Sequence, residues 1–302
     1  MSKKKKKTRR LDPDLPHPKI VAAMVADATA GRIGGLIESN ILKTLSVYRH
    51  LRGSAPNNIE HLGSGFLVHH HGRYFAVSAA HVVANSRQFD LVVLRKKPGP
   101  ARNRNIILPA VWYTTKSASA DHSDDPIDVG IIPLNRIHVE FFGSENFFTI
   151  QDCDLSHLPS STALYTAFGF PNTRNEPNHF KKDVERRGWS YSQPGATLEW
   201  YEKAGVRVET HFVLKLDQKF LYRIDGSTSA PPDRHGMSGG PFFFCREYAP
   251  EGSAWHPSIV GVNIENPESG RHSLFVASRI EVAFRLIEEY CRLYPVQQDE
   301  LI

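Results

Sequence analysis

The sequence predicts an all-β protein whose antiparallel strands form a sandwich or a barrel. From about residue 41 of its 302 residues, short apolar runs alternate with Gly, Pro, Asn and Asp. This pattern is typical of many short strands joined by turns. The long helices that would connect parallel strands are missing from it. Hydrophobic residues make up 40% of the chain and charged residues 23%, which argues against a disordered or fibrous protein.

Ten strands and two helical segments are expected. The predicted strands are 41–48, 65–69, 74–78, 91–94, 129–133, 164–168, 212–215, 241–245, 259–263 and 274–276. A helix is expected at 279–294, because apolar residues recur there at spacings of three and four. Residues 19–38 predict a short helix and a linker, broken by three glycines. Residues 171–235 are rich in polar loops and give no clear pattern.

The net charge of +5 comes from the first ten residues, which carry seven positive charges and no acid. Removing those seven charges leaves −2 for residues 11–302, so the rest of the chain is close to neutral. The basic tail could contact nucleic acid or an acidic surface electrostatically, or it could be a solvated terminus. Apart from this tail, we expect no nucleic-acid partner.

The sequence predicts a cytoplasmic location and no contact with a membrane. No apolar segment follows the basic tail, as a secretory signal would require, and no apolar run approaches the roughly 18 residues of a membrane helix. Cys153, Cys245 and Cys291 are too few for a disulfide framework, which indicates reduced thiols in a reducing compartment.

Three segments contain residues suited to nucleophilic catalysis. In FAVSAAHV an apolar strand leads to His81, in DVGIIPL Asp128 begins an apolar strand, and in GMSGGP Ser238 lies among glycines. A serine hydroxyl becomes a good nucleophile when an imidazole can take its proton. A buried carboxylate orients that imidazole, and backbone amides flanked by glycine can stabilise an oxyanion.

The order and context of these residues resemble the trypsin/chymotrypsin superfamily of serine peptidases, and especially its intracellular or HtrA-like bacterial members. GSGFLV, AFGFP, IVGVNIE and HSLFVASRI are similar to further segments of that family. The resemblance covers roughly residues 41–295 and is loose over 172–230. It implies a double six-stranded antiparallel β-barrel at 41–145 and 146–278, preceded by an extension at 1–40 and followed by the C-terminal helix.

The resemblance also implies the roles of individual residues. His81, Asp128 and Ser238 would form the catalytic triad, and the backbone of Gly236, Met237 and Ser238 would form the oxyanion hole. The substrate residue before the cleaved bond would contact Ile264, Glu265, Ala277 and Pro232, with a small or apolar residue preferred. Met237 stands where digestive members have an aspartate that pairs with a new amino terminus. Because a thioether cannot form that ion pair, activation by such a cleavage is not expected.

Other interpretations of these residue types have less support. Asp121, Asp124 and Asp125 are rivals of Asp128, but they lie in a polar loop. Successive residues of a strand point to opposite faces, so His69, His70 and His71 cannot all bind one metal ion there; a hairpin tip is expected instead. Cys245 and Cys291 are predicted to be core residues, and Cys153 lacks a neighbouring base.

The sequence therefore predicts a serine endopeptidase that acts on peptides or proteins and needs no cofactor or metal. A regulatory protein partner that activates the enzyme is also expected, because residues 171–235 are atypical of the family. The alternative hypothesis is a catalytically silent scaffold of the same fold that binds peptides or partner proteins.

Overall fold

The computed structural model describes residues 31–54, 58–95, 104–120, 122, 124–175, 187–215, 234–248, 255–264 and 274–295. In the described residues, thirteen strands between Thr44 and Arg279 form two antiparallel sheets. The all-β prediction is confirmed. Within the described residues, no helix is long and apolar enough to cross a membrane.

The first sheet has seven strands in the order β5-β4-β1-β2-β3-β7-β6. These strands are β1 (Thr44–Leu51), β2 (Ile59–His70), β3 (Arg73–Ala79), β4 (Phe89–Arg95), β5 (Arg104–Ile107), β6 (Tyr113–Thr114) and β7 (Val129–Leu134). The sequence predicted five of them and missed β5 and β6. Strand β5 is largely exposed and β6 has only two residues, so neither carries an apolar run.

The second sheet has six strands in the order β10-β13-β12-β11-β8-β9. They are β8 (Ala163–Gly169), β9 (Trp189–Pro194), β10 (His211–Lys215), β11 (Pro241–Glu247), β12 (Ser258–Ile264) and β13 (Leu274–Arg279). Only β9 was not predicted. It lies at the edge of the sheet, in the part of the sequence that gave no clear pattern.

Six helices accompany the sheets in the described residues. They are α1 (Arg32–Asn40), α2 (Ala80–Ala84), α3 (Arg136–Phe142), α4 (Asn172–Asn175), α5 (Leu198–Ala204) and α6 (Ile280–Leu293). Helix α6 confirms the predicted C-terminal helix. Helix α1 continues through Gly34 and Gly35, where a break was expected, because Ile33, Leu36 and Ile37 pack into the core.

The largest apolar cluster joins the two sheets to the terminal helices. It contains Phe66 and Phe75 from the first sheet, Phe168 and Phe243 from the second, and Phe284 from α6. Separate clusters lie within each sheet. Burial of each large side chain stabilises the fold by about 1.5–3 kcal/mol. The ends of β3, β7 and β11 are therefore held in fixed relation to one another.

Candidate active site

His81 and Asp128 are brought together by the pairing of β3 with β7. Ala79 lies opposite Val129 in this ladder, and the Ala80 amide donates to the Asp128 carbonyl at 3.0 Å. His81 is the second residue of α2, which begins where β3 ends. Asp128 directly precedes β7. Each side chain is thus fixed by the end of a buried strand.

The Asp128 carboxylate contacts His81 with both oxygens. One oxygen accepts from the His81 backbone amide at 2.9 Å, and the other lies 2.7 Å from the His81 Nδ1. The Asp128 side chain is 3% exposed and the His81 side chain 23%. The pair is therefore buried on the carboxylate side and reachable by solvent on the imidazole side.

Asp128 adopts a left-handed backbone conformation with φ of 49°. Such angles are uncommon for residues other than glycine, and Asp and Asn tolerate them better than most. The chain around Asp128 is held by bonds to the preceding loop. The Ser278 hydroxyl donates to the Ile127 carbonyl, and His211 Nε2 lies 2.7 Å from the Pro126 carbonyl oxygen.

The rival aspartates in this loop serve other purposes. The Asp125 carboxylate is buried, which the polar sequence around it did not predict, but it accepts from the Thr115 hydroxyl and the Ile127 amide. Asp124 is exposed, and hydrogen bonds from Ser117 and Ser119 hold its pKa well below the usual range. Asp121 lies outside the described residues.

The loop that carries Ser238 packs against the end of β3 and the middle of β2. The Ser64 amide donates to the Ser238 carbonyl at 2.8 Å. A methyl group on Gly239 would lie 2.1 Å from the Ser64 carbonyl oxygen and 2.9 Å from the Ala79 nitrogen. Ala79 precedes His81 by two residues. The Ser238 loop is thus adjacent to the strand end that presents His81.

Two carbonyl groups of this loop accept hydrogen bonds from backbone amides. The His235 carbonyl accepts from the Asn172 amide at 2.7 Å, and the Met237 carbonyl accepts from the Gly240 amide at 3.1 Å. In a trans peptide the N–H points opposite to the C=O. The amides of Gly236 and Ser238 therefore point away from these bonds, and neither donates to an acceptor among the described residues.

The predicted oxyanion hole needs one correction. The Met237 amide donates to the Arg234 carbonyl at 2.9 Å, and the Ser64 hydroxyl donates to the Gly236 carbonyl at 2.7 Å. The C=O and the N–H of the peptide group between Gly236 and Met237 thus both have hydrogen-bond partners. Of the three expected amides, only those of Gly236 and Ser238 remain available to a ligand.

Position 236 of the loop requires glycine. Its φ is 90°, and a Cβ atom there would lie 2.0 Å from Asn172 Oδ1 and 2.7 Å from His61 Cε1. Asn172 Oδ1 in turn lies 2.5 Å from His61 Nδ1. The sequence did not indicate His61 or Asn172, because their relation to the loop arises only from tertiary contact.

Met237 is 1% exposed and belongs to an apolar cluster that also contains Tyr191, Phe242 and Ala277. Gly169 lies directly against it, since a methyl group on Gly169 would be 2.9 Å from the Met237 Cα. The loop is therefore anchored by an apolar side chain, and an ion pair at this position is not part of its support.

The expected substrate contacts are only partly brought together. Asn263 pairs with Ala277, and Ile264 pairs with Val276. Paired residues lie on the same face of a sheet and successive residues on opposite faces. Ala277 belongs to the apolar cluster that contains Met237, whereas Ile264 belongs to a different cluster with Tyr201 and Leu274. The two side chains cannot line one pocket, and Glu265 and Pro232 lie outside the described residues.

None of the three cysteines forms a disulfide bond, and none belongs to the proposed triad. Burial raises the pKa of Cys153 to about 12 and also raises the pKa of Cys291. Cys245 is fully buried. A thiol of raised pKa is a poor nucleophile at neutral pH, so this chemistry supports the serine as the candidate nucleophile.

Comparison with solved structures identifies a neighbour of the same architecture. The scabies mite inactivated protease paralogue S-I1 matches with a TM-score of 0.50 and 14% sequence identity, over 83% of this chain and 96% of that chain. No protein-family model and no curated protein matches the sequence. At this identity the likeness concerns the fold alone: the chain has the trypsin-like double β-barrel fold.

Proposed function

We propose that this protein is a serine endopeptidase that uses His81, Asp128 and Ser238. The observation that carries the proposal is the two-oxygen contact of the buried Asp128 carboxylate with His81. A structural histidine at a strand end needs no such contact. In acyl transfer this contact holds the imidazole in the tautomer that has its proton-accepting lone pair on Nε2.

In the proposed reaction, the Ser238 hydroxyl attacks the carbonyl carbon of a peptide bond and gives its proton to His81. The negative charge that forms on the carbonyl oxygen is stabilised by the amides of Gly236 and Ser238. His81 then protonates the leaving amine, and a water molecule activated by His81 hydrolyses the acyl-enzyme. Asp128 stabilises the imidazolium in both halves of the reaction. No metal or cofactor takes part in this scheme.

Hydrolysis of an unfolded protein substrate tests the proposal. The wild-type protein is expected to generate new amino termini, and Ser238→Ala and His81→Ala are expected to abolish this activity. Ser161→Ala is the matched control, because Ser161 is exposed on a loop of the second sheet. Cleavage that persists unchanged in Ser238→Ala would refute the proposal.

A silent scaffold is the second candidate, and the name of the solved neighbour favours it, since that paralogue is described as inactivated. The scaffold would bind peptides without cutting them. Peptide binding by the wild-type protein, with no cleavage either alone or after addition of a cell extract, would support it. Cleavage only after the extract is added would indicate an enzyme that a protein partner activates.

A further inference from the structure

The hairpin between β2 and β3 turns at His71 and Gly72, which have φ values of 49° and 71°. Two successive left-handed residues are typical of the tight turns that join antiparallel strands. Because His71 has left the strand, the alternation of side chains stops at His70. His69 and His70 therefore point to opposite faces of the sheet, whereas His70 and His71 need not.

The rings of His70 and His71 lie together, with centroids 3.9 Å apart. His69 lies apart from them and stacks on Tyr74 at 4.6 Å. Glu288 of helix α6 approaches the two rings, so that one ligand atom from each of the three residues lies within 4.8 Å of the others. Within the described part of the chain, this is the one set of three or more His, Cys, Asp or Glu side chains whose ligand atoms lie so close together.

His70 has a polar atom that the fold leaves unused. Its Nε2 is buried and has no hydrogen-bond partner among the described residues, and its ring packs edge-on against Phe284, one helical turn before Glu288. A buried polar atom without a partner is costly and calls for a ligand or another explanation. Burial and the neighbouring His71 both lower the pKa of His70, which favours the neutral imidazole.

We propose that His70, His71 and Glu288 form a binding site for a divalent transition-metal ion of the Zn²⁺ class. Two imidazoles and one carboxylate suit such an ion, whereas Mg²⁺ and Ca²⁺ prefer oxygen ligands alone. Tetrahedral coordination at about 2.0–2.1 Å brings the ligand atoms to roughly 3.3 Å from one another. His71 and Glu288 are exposed and can rotate inwards to reach this distance.

One positive charge lies near the proposed site. The Arg73 guanidinium lies over the Tyr290 ring at 5.5 Å and interacts with Cys291, and both of these residues follow Glu288 on α6. A bound ion would link the tip of the β2–β3 hairpin to the C-terminal helix. It would stabilise the folded protein and would take no part in the proposed peptide hydrolysis.

Titration of the metal-free full-length protein with Zn²⁺, and separately with Co²⁺, tests the site. We expect one saturable ion per chain, a rise in the unfolding temperature with Zn²⁺, and a Co²⁺ absorption spectrum without a thiolate charge-transfer band. His71→Asn and Glu288→Gln are expected to weaken the affinity at least tenfold. Asn suits the left-handed position, so this variant should remain folded.

His69→Asn and Cys291→Ser are the controls, and both should bind the ion within about twofold of the wild-type protein. The metal-free unfolding temperature of each variant shows whether the fold is intact. The proposal is overturned if no saturable binding occurs, if His71→Asn and Glu288→Gln bind as tightly as the wild-type protein, or if Cys291→Ser abolishes binding.

Discussion

At the scale of single residues, the candidate site depends on two unusual backbone positions. Asp128 has φ of 49° and Gly236 has φ of 90°. The sequence indicated both residues, Asp128 through the apolar strand that follows it and Gly236 through its neighbouring glycines. It could not indicate Asn172 and His61, because these residues lie 64 and 175 positions from Gly236 and nothing local marks them.

Asp128→Asn tests the role of the carboxylate. The amide can keep the shape of Asp128 but favours the wrong tautomer of His81, so the rate of peptide hydrolysis should fall by about 10⁴-fold while the fold persists. Asp124→Asn, at an exposed position of the same loop, should leave the rate nearly unchanged. Steady-state kinetics and thermal unfolding of both variants check this, and a loss below tenfold in Asp128→Asn would contradict the assigned role.

Gly236→Ala tests the geometry of the oxyanion loop. The new methyl group would collide with Asn172 Oδ1 at 2.0 Å, so the loop must shift and the rate should fall by at least 10²-fold. Gly205→Ala is a matched control, since Gly205 has φ of 67° and open space around it. The Gly205→Ala variant has the same kind of backbone strain, because its φ is positive, but its new methyl group meets no neighbouring atom. Equal activity of the two variants, measured by peptide hydrolysis, would refute the structural explanation.

At the scale of elements, the Ser238 loop is held between the two sheets. Ser64 of β2 bonds to the carbonyls of Gly236 and Ser238, and Asn263 of β12 exchanges backbone bonds with Gly239 and Gly240. The Ser64 contacts join parts of the chain more than 170 residues apart. The sequence predicted β2, β11 and β12, but the bonds between them depend on how the sheets pack.

Met237→Asp tests the apolar anchor of this loop. A carboxylate would be buried among Tyr191, Phe242 and Ala277, and none of these side chains has a positive charge to pair with it. The free energy of unfolding should fall by several kcal/mol. Met237→Leu conserves volume and should cost less than about 1.5 kcal/mol. Chemical denaturation measures both, and a fully stable Met237→Asp variant would contradict this anchoring.

At the scale of the whole molecule, most of the strands could be predicted from apolar patterning, whereas the pair of barrels was implied by the family resemblance. All ten predicted strands are present, although the first begins at Thr44, since Ile41–Lys43 forms a 3-10 turn. The first sheet has seven strands where six were expected. Short or exposed strands were missed, because they are stabilised by hydrogen bonding to a neighbour and carry no hydrophobic periodicity of their own.

The stability of the molecule should decrease in acid because of buried histidines. Burial lowers the pKa of His211, whose charged neighbours are Arg207 and Asp125. The folded state therefore prefers neutral His211, while the unfolded state binds a proton below about pH 6.5. The stabilisation is complete above that pH and is lost as the pH falls towards the lowered pKa.

One such proton contributes a slope of at most about 1.4 kcal/mol per pH unit to the free energy of unfolding. Urea denaturation between pH 7.5 and pH 5 measures this slope. His211→Gln, which can still donate to the Pro126 carbonyl, should reduce it. A slope that is identical in the variant and the wild-type protein would show that His211 does not contribute.

The proposed role of Ser238 as a nucleophile activated by His81 is tested most directly by covalent labelling. The wild-type protein is incubated at pH 8 with a fluorophosphonate, and the adduct is located by mass spectrometry of the intact chain and its peptides. One adduct is expected, on Ser238, and it should be absent from Ser238→Ala and His81→Ala and retained in Ser161→Ala. An unlabelled wild-type protein, or an adduct that forms equally well in His81→Ala, would contradict it.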